Sequence, residues 1–214
     1  MIKGVIFDLD GTLVDTVYDL AGAMNICLER HNMPTHPIDI VKTFIGNGIK
    51  NLVRLAIPEE QRDELTDVIY EEFCEVYSKR LCVDSRVFDG MDEILCKLAK
   101  LGIKTGVVSN KHHDNVVEIL KYYFPNHTFD AVLGFTDRHP RKPAPDSTLE
   151  VLDKMGLCAS DVVFVGDSRT DAQTAQNAGI SCIIVTWGYT DDQFLQDFNR
   201  TVANSDELFK KFSN

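Results

Sequence analysis

The sequence has no C-x-x-C pair: its six cysteines, Cys27, Cys74, Cys82, Cys96, Cys158 and Cys182, are scattered along 214 residues. That spacing argues against a zinc site or a redox dithiol, and the cysteines are expected to be reduced, partly buried, small apolar residues. No apolar run approaches the length that crosses a membrane. The stretch from Met1 to Asp8 offers neither a signal-peptide apolar region nor a small-residue cleavage site, so a cytoplasmic protein is expected. Basic charge is scarce as well: 22 Lys and Arg stand against 33 Asp and Glu, a formal net charge of -11. Such a surface repels nucleic-acid backbones and anionic membranes, and neither is expected as a partner. An anionic small molecule stays open, because a bound cation and a few aimed donors override net charge within a pocket.

A chain of this length can bury one sizeable core with a smaller satellite. Runs rich in β-branched residues recur at Gly4 to Phe7, Thr105 to Val108, Ala131 to Gly134, Val162 to Val165 and Cys182 to Val185. Between them, Ile94, Leu95, Leu98 and Leu101 fall at helical spacing, as do the apolar residues of Val116 to Leu120 and Thr148 to Met155. This alternation predicts an α/β fold, a Rossmann-like parallel sheet covered on both faces. From Thr16 to about Arg80 the pattern is helical only. Residues 16–84 are therefore expected to form an inserted all-helical domain, and residues 1–15 with 85–214 the α/β core, with hinges near Asp15 to Thr16 and Asp84 to Val87. Thr16-Val17-Tyr18-Asp19 predicts a capping box for the first inserted helix. Glu59 to Lys79 predicts a second long one, with Leu65, Val68, Ile69, Phe73 and Val76 on its apolar stripe.

Ligands of open α/β sheets gather outside the carboxyl ends of the strands. After the first strand stands Asp8-Leu9-Asp10-Gly11-Thr12-Leu13, and after the second Ser109-Asn110-Lys111. A later loop carries Arg141-Lys142-Pro143, and the fourth strand runs into Gly166-Asp167-Ser168-Arg169-Thr170-Asp171. Carboxylates, hydroxyls and a cation thus converge, which is the inventory of phosphoryl transfer: a carboxylate attacks an anionic ester only if cations and donors neutralise its oxygens. A hard cation on Asp8 and Asp167 would do part of this, and oxygen ligands suit magnesium (Mg2+); Lys142, Ser109 and backbone N–H groups would do the rest. Each feature has a plainer reading on its own. Asp8 and Asp10 could be acids in a turn, Asp167 and Asp171 could cap a helix, Ser109 and Asn110 could end a strand, and Lys142 could be solvated. Arg141 is assigned to the surface, His112 and His113 to a solvated helix start, and Trp187-Gly188-Tyr189 to a packed loop.

Asp8-Leu9-Asp10-Gly11-Thr12-Leu13, Ser109-Asn110, Lys142-Pro143 and Gly166-Asp167-x-x-x-Asp171 resemble, in order, the four motifs of the haloacid dehalogenase superfamily, and the helical insertion resembles that family's cap. The resemblance implies that Asp8 forms an aspartyl-phosphate and that Asp10 protonates the leaving alcohol and then activates water. It implies Mg2+ on Asp8, Asp167 and the Asp10 backbone carbonyl, with Asp171 behind them orienting Lys142 or a metal-bound water. Gly11, Thr12, Ser109 and Asn110 would contact the phosphate. An acid at Asp10 points to phosphatases and phosphomutases rather than dehalogenases.

Asp15-Thr16-x-x-Asp19-Leu20 and Phe44-Ile45-Gly46-Asn47-Gly48-Ile49-Lys50-Asn51-Leu52-Val53 resemble the bacterial phosphoglycolate phosphatases, and Lys111 and Gly166-Asp167-Ser168-Arg169-Thr170-Asp171 agree with that subgroup. The resemblance implies a small-molecule phosphate ester, 2-phosphoglycolate, as substrate, with Gly46, Asn47, Gly48 and Lys50 as the specificity loop. A helix after Gly48 would offer free N–H groups to a carboxylate, although a flexible helix–helix turn explains the glycines equally well. A β-phosphoglucomutase-like mutase, a pyrophosphatase or a nucleotide phosphatase shares the same core motifs. Either a monomer or a dimer fits the sequence.

Overall fold

The computed structural model describes residues 2–190 and 192–212. The chain opens with strand β1 (Gly4–Phe7) and the two-residue β2 (Val14–Asp15), then runs through four helices, α1 (Val17–Arg30), α2 (Ile38–Lys42), α3 (Ile49–Ala56) and α4 (Arg62–Arg80). The two-residue β3 (Arg86–Val87) follows, and from there helices and strands alternate: α5 (Met91–Lys100), β4 (Lys104–His112), α6 (His113–Tyr123), β5 (Ala131–Phe135), α7 (Asp146–Met155), β6 (Val162–Gly166), α8 (Arg169–Asn177) and β7 (Ser181–Val185). The last elements are α9 (Asp192–Asp197), β8 (Thr201–Val202) and α10 (Ser205–Phe212). Two compact units result, Met1–Asp15 with Val87–Asn214 and Thr16–Arg86.

In the first unit six strands form one sheet in the order β5-β4-β1-β6-β7-β8, every pair parallel. Both faces are covered, so the central strands are continuously apolar: all four residues of β1 and all five of β6 are buried. Ile6, Phe164 and Ile184 meet Val151 and Met155 of α7 and Ala175 of α8 in the core. Along α5 the buried residues Met91, Ile94, Leu95 and Leu98 recur at helical spacing. Leu101 was expected to extend that stripe and does not; the helix ends at Lys100, Gly102 turns the chain at φ 69°, and Leu101 is 59% exposed.

The second unit is helical. Its α4 buries Thr66, Ile69, Phe73, Val76 and Tyr77 and packs on α1, which buries Leu20, Met24, Cys27 and Leu28. Two residues of the expected stripe lie off this face: Leu65 is half-buried and Val68 is exposed. The expected capping box at Thr16 is also absent, since Thr16 makes no side-chain cap. Asp19 instead accepts hydrogen bonds from the backbone N–H groups of Val83, Asp84 and Ser85 at 2.8 to 3.1 Å, and from the Ser85 hydroxyl. A buried acid thereby ties α1 to the segment after α4, a pairing 64 to 66 residues apart that local spacing cannot disclose.

None of the six cysteines is in a disulfide; Cys27 and Cys182 are buried, but Cys74, Cys96 and Cys158 are exposed, more than was expected. No helix among the described residues is long and apolar enough to cross a membrane.

Candidate active site

From β1 the chain fills one side of the sheet with β4 and β5, then returns to the other side with β6, β7 and β8. The order reverses between β1 and β6, the kind of switch point outside whose carboxyl strand ends open α/β sheets bind their ligands. Phe7 pairs with Val165, and the Asp8 N–H donates to the Val165 carbonyl at 2.8 Å. This register sets Asp8 beside the loop that carries Asp167.

Four of the expected residues converge at this point and all are buried: Asp8, Lys142, Asp167 and Asp171. Lys142 Nζ lies 2.8 Å from Asp8 Oδ1 and 2.7 Å from Asp171 Oδ1, and it donates to the Val108 carbonyl at 3.2 Å. The other Asp171 oxygen accepts from the Ser168 N–H at 3.0 Å and the Ser168 hydroxyl at 2.6 Å. Ser168 Oγ accepts in turn from the Asp171 N–H, a capping box that starts α8. Capping and site chemistry therefore share one acid. Asp167 Oδ2 accepts from the Tyr189 N–H at 2.7 Å, and Oδ1 from the Thr12 hydroxyl at 3.4 Å.

Ligand atoms of Asp8, Asp167 and Asp171 all lie within 4.8 Å of one another. Burial, opposed by Lys142 and reinforced by Asp171 and Asp10, raises the Asp8 carboxyl to about 7. Burial, then repulsion from Asp171 and Asp8, holds Asp167 well above the usual carboxylate range. For Lys142 burial acts downward, but the attraction of Asp171 and Asp8 outweighs it and the ammonium stays charged. One lysine thus faces three buried acids, and Asp8 Oδ1 accepts no aligned hydrogen bond. A hard cation with oxygen ligands fits this surplus of negative charge. Asp171 gives one oxygen to Lys142 and the other to Ser168.

The loop Asp10–Val14 closes on the same point. Gly11 takes φ 84°, and a Cβ there would meet Asp167 Oδ2 at 2.4 Å, so only glycine fits. Gly11 and Thr12 were expected to contact phosphate, but their N–H groups donate to the Val14 and Leu9 carbonyls and are spent within the turn. Thr12 serves Asp167 instead.

Between Val108 and His112 the pairing of β4 with β5 is broken by an irregularity, and Ser109, Asn110 and Lys111 stand in that break. Ser109 Oγ accepts from the Lys111 N–H at 3.2 Å, which leaves its hydroxyl proton for a ligand. Asn110, expected on the phosphate, has its amide committed elsewhere: Oδ1 accepts from the Lys142 N–H at 2.8 Å and Nδ2 donates to the Lys142 carbonyl at 3.2 Å. It clasps the backbone of Lys142, whose peptide bond to Pro143 is cis. Arg141 is not a surface residue; it donates to the Asn110 carbonyl at 2.7 Å and its guanidinium lies 3.3 Å from the centre of the Phe135 ring. His112 is exposed, but His113 is half-buried and accepts from the Gly134 N–H.

Lys111 is a further site residue. Its ammonium is 3.0 Å from Asp10 Oδ1, and the two side chains are only 2% and 13% exposed. The loop after β7 also contributes. Trp187 Nε1 donates to the Thr12 carbonyl at 3.2 Å, the Tyr189 hydroxyl donates to Asp15 at 3.0 Å, and a Cβ on Gly188 would meet Asp167 Cβ at 2.3 Å. That loop was expected only to pack; the strand-end rule, carried one strand further, finds it.

In the helical unit, Gly46 and Gly48 take φ 116° and 86°, and Gly48 precedes α3 as its N-terminal flanking residue. Lys50, expected to add charge at this loop, lies 2.6 Å from Asp67 in a solvent-exposed pair.

The family model of the haloacid dehalogenase-like hydrolases matches residues 5–185. A phosphoglycolate phosphatase of Mannheimia succiniciproducens is 35% identical over 97% of this chain and 93% of its own length. One from Yersinia pestis is 37% identical over 88% of this chain and 82% of its own. The crystal structure of a proposed phosphoglycolate phosphatase from Lactobacillus delbrueckii subsp. bulgaricus superposes with a TM-score of 0.91 at 30% identity, covering 98% of this chain and 97% of that one. With the four motifs gathered at the switch point of a parallel sheet, these likenesses show that the chain belongs to the haloacid dehalogenase-like hydrolases.

Proposed function

We propose that this phosphoric monoester hydrolase works through an aspartyl-phosphate on Asp8, requires Mg2+, and takes 2-phosphoglycolate as its substrate. The observation that carries the chemistry is the buried set of Asp8, Lys142, Asp171 and Asp167 at the switch point. The names of the phosphoglycolate phosphatase relatives support the substrate.

Asp8 and Asp167, with the Asp10 backbone carbonyl, would hold Mg2+, which when bound supplies positive charge against the phosphoryl oxygens. Asp8 attacks phosphorus, forming its own O–P bond as the ester O–P bond breaks. Lys142, fixed by Asp171 and by the Asn110 clasp, neutralises the transferring group. The Ser109 hydroxyl donates to one of its oxygens. Asp10 delivers a proton to the leaving alkoxide, then receives one from the water that cleaves the aspartyl-phosphate. The helical unit serves as the family's cap, with the Gly46-Asn47-Gly48 turn as its candidate specificity loop; Lys50 contributes less there because it pairs with Asp67.

The test is phosphate release from a panel of 2-phosphoglycolate, ethyl phosphate, a hexose 1-phosphate and pyrophosphate. A kcat/KM for phosphoglycolate well above that for ethyl phosphate is expected. Equal values refute the substrate, and rearrangement of the hexose phosphate without phosphate release identifies a mutase.

A further inference from the structure

Lys142 is shared by Asp8 and Asp171, whereas the second buried lysine at these strand ends, Lys111, faces Asp10. We propose that Lys111 determines specificity by receiving a carboxylate of the substrate, two bonds beyond the bridging ester oxygen. The inference rests on Asp10 serving the leaving oxygen, as proposed above.

Geometry leads to it. If the Asp10 carboxylate reaches the bridging oxygen, the ammonium 3.0 Å from Asp10 Oδ1 lies close to whatever the ester carries next. In an ester of the form phosphate–O–CH2–COO⁻ that group is a carboxylate. Its position is the nearest one at which a second negative charge could meet Lys111 while phosphorus remains at Asp8.

The environment agrees. Lys111 is 2% exposed in its side chain, too little to serve as a solvated surface charge. As a purely structural pair it would add little, since buried ion pairs are commonly matched in stability by apolar residues of similar volume. Lys111 also stands where the register of β4 against β5 shifts, between Val108 and His112, and such irregularities commonly re-aim side chains beside sites. Other cations are already engaged. Arg141 donates to the Asn110 carbonyl with its guanidinium over the Phe135 ring, and Lys50 of the helical unit is paired with Asp67 at an exposed position. Recognition of the carboxylate therefore belongs to the α/β unit, at Lys111, more than to the charge of the Gly46–Lys50 loop.

The test compares kcat/KM for 2-phosphoglycolate and ethyl phosphate in the wild-type protein, Lys111→Met and Lys111→Arg. The selectivity ratio is expected to fall by about 10- to 100-fold in Lys111→Met, the weight of one charge-assisted hydrogen bond, mainly through KM for phosphoglycolate. Lys111→Arg should recover part of it. A ratio unchanged in Lys111→Met, with both substrates slowed alike, would overturn the proposal and reduce Lys111 to a partner of Asp10. A wild-type ratio near one is a different failure, that of the substrate reading itself. Circular dichroism checks folding, and Lys111→Gln replaces the Met variant if that one does not fold. In the wild-type protein, 3-phosphonopropionate should inhibit ethyl phosphate turnover more strongly than propylphosphonate does, and Lys111→Gln should narrow that gap; an undiminished gap would also overturn the proposal.

Discussion

Gly188 sets how closely the loop after β7 can pass Asp167. A Cβ at this position would lie 2.3 Å from Asp167 Cβ and 2.4 Å from its Oδ2, so Gly188→Ala must displace the carboxylate or the loop that holds it through the Tyr189 N–H. Groups that orient a metal ligand are worth about 10- to 100-fold in metal affinity, and Gly188→Ala should weaken Mg2+ binding by that order. Trp187 gives a readout independent of turnover. It is the chain's single tryptophan, and its Nε1 rests on the Thr12 carbonyl beside Asp167. A fluorescence titration of Trp187 with Mg2+ should show the weakened binding; unchanged affinity would mean that Gly188 does not set the position of Asp167. Asp8 and Asp167 were legible because each stands just after a strand in a spaced motif, and Lys142 only because Lys142-Pro143 resembles the family's third motif. The work of Asn110, Gly11 and Lys111 was not. Asn110 reaches 32 residues ahead to Lys142, and Lys111 pairs with Asp10 from a neighbouring strand, contacts that exist only once the sheet has formed.

Helix α8 begins on a capping box whose acid also holds Lys142, the lysine proposed to neutralise the transferring group. Ser168→Ala should therefore cost about 1 kcal/mol in stability and also reduce kcat, because Asp171 loses the donors that fix it. Denaturant melts with steady-state kinetics would show both effects; a stability loss with kcat intact would separate the cap from the chemistry. Helix α7 offers a pH test. Glu150 is lowered to about 2 from 4.5 by its hydrogen bonds to Lys154 and then His139. A depressed folded-state value means that its stabilisation is present above pH 4.5 and is lost as pH falls toward 2. Glu150→Gln should be less stable than wild type at neutral pH, by no more than about 1 kcal/mol given solvent screening, and the gap should close on acidification through that window. A gap independent of pH would assign the loss to packing.

The five strands of the sheet with β-branched runs were legible within a few residues, and α5 carries its expected apolar stripe as far as Leu98. Strand β8 was not legible, since two residues, Thr201–Val202, carry no periodicity and pair only because β7 presents a free edge. The break in β4 was hidden for a related reason: β4 reads as one buried run, and only its pairing with β5 reveals the irregularity.

At the scale of the molecule, the α/β unit carries the acids that would bind Mg2+ and the helical unit is built around its own α1–α4 contact. A ligand that binds only the folded state stabilises it by about 2.7 kcal/mol at a hundredfold excess over Kd, roughly 5 to 10 °C in Tm for a chain of this size. Mg2+ should raise the melting temperature of the wild-type protein accordingly and leave Asp167→Ala unmoved; an equal shift in both would place the ion elsewhere. The formal charge of -11 does not conflict with an anionic substrate, because a cation held by Asp8 and Asp167 would add to the charges of Lys142 and Lys111 at the strand ends.

In the proposed mechanism the phosphoryl group passes through Asp8. The direct measurement is to quench the enzyme with acid during turnover of 2-phosphoglycolate, digest it, and locate any phosphoryl group by mass spectrometry. One phosphoryl group is expected on the peptide from the amino-terminal strand, assigned to Asp8 and absent from Asp8→Asn, which should also lose at least about 10⁴-fold in kcat. A phosphoryl group on another residue, or substantial turnover by Asp8→Asn, would contradict it.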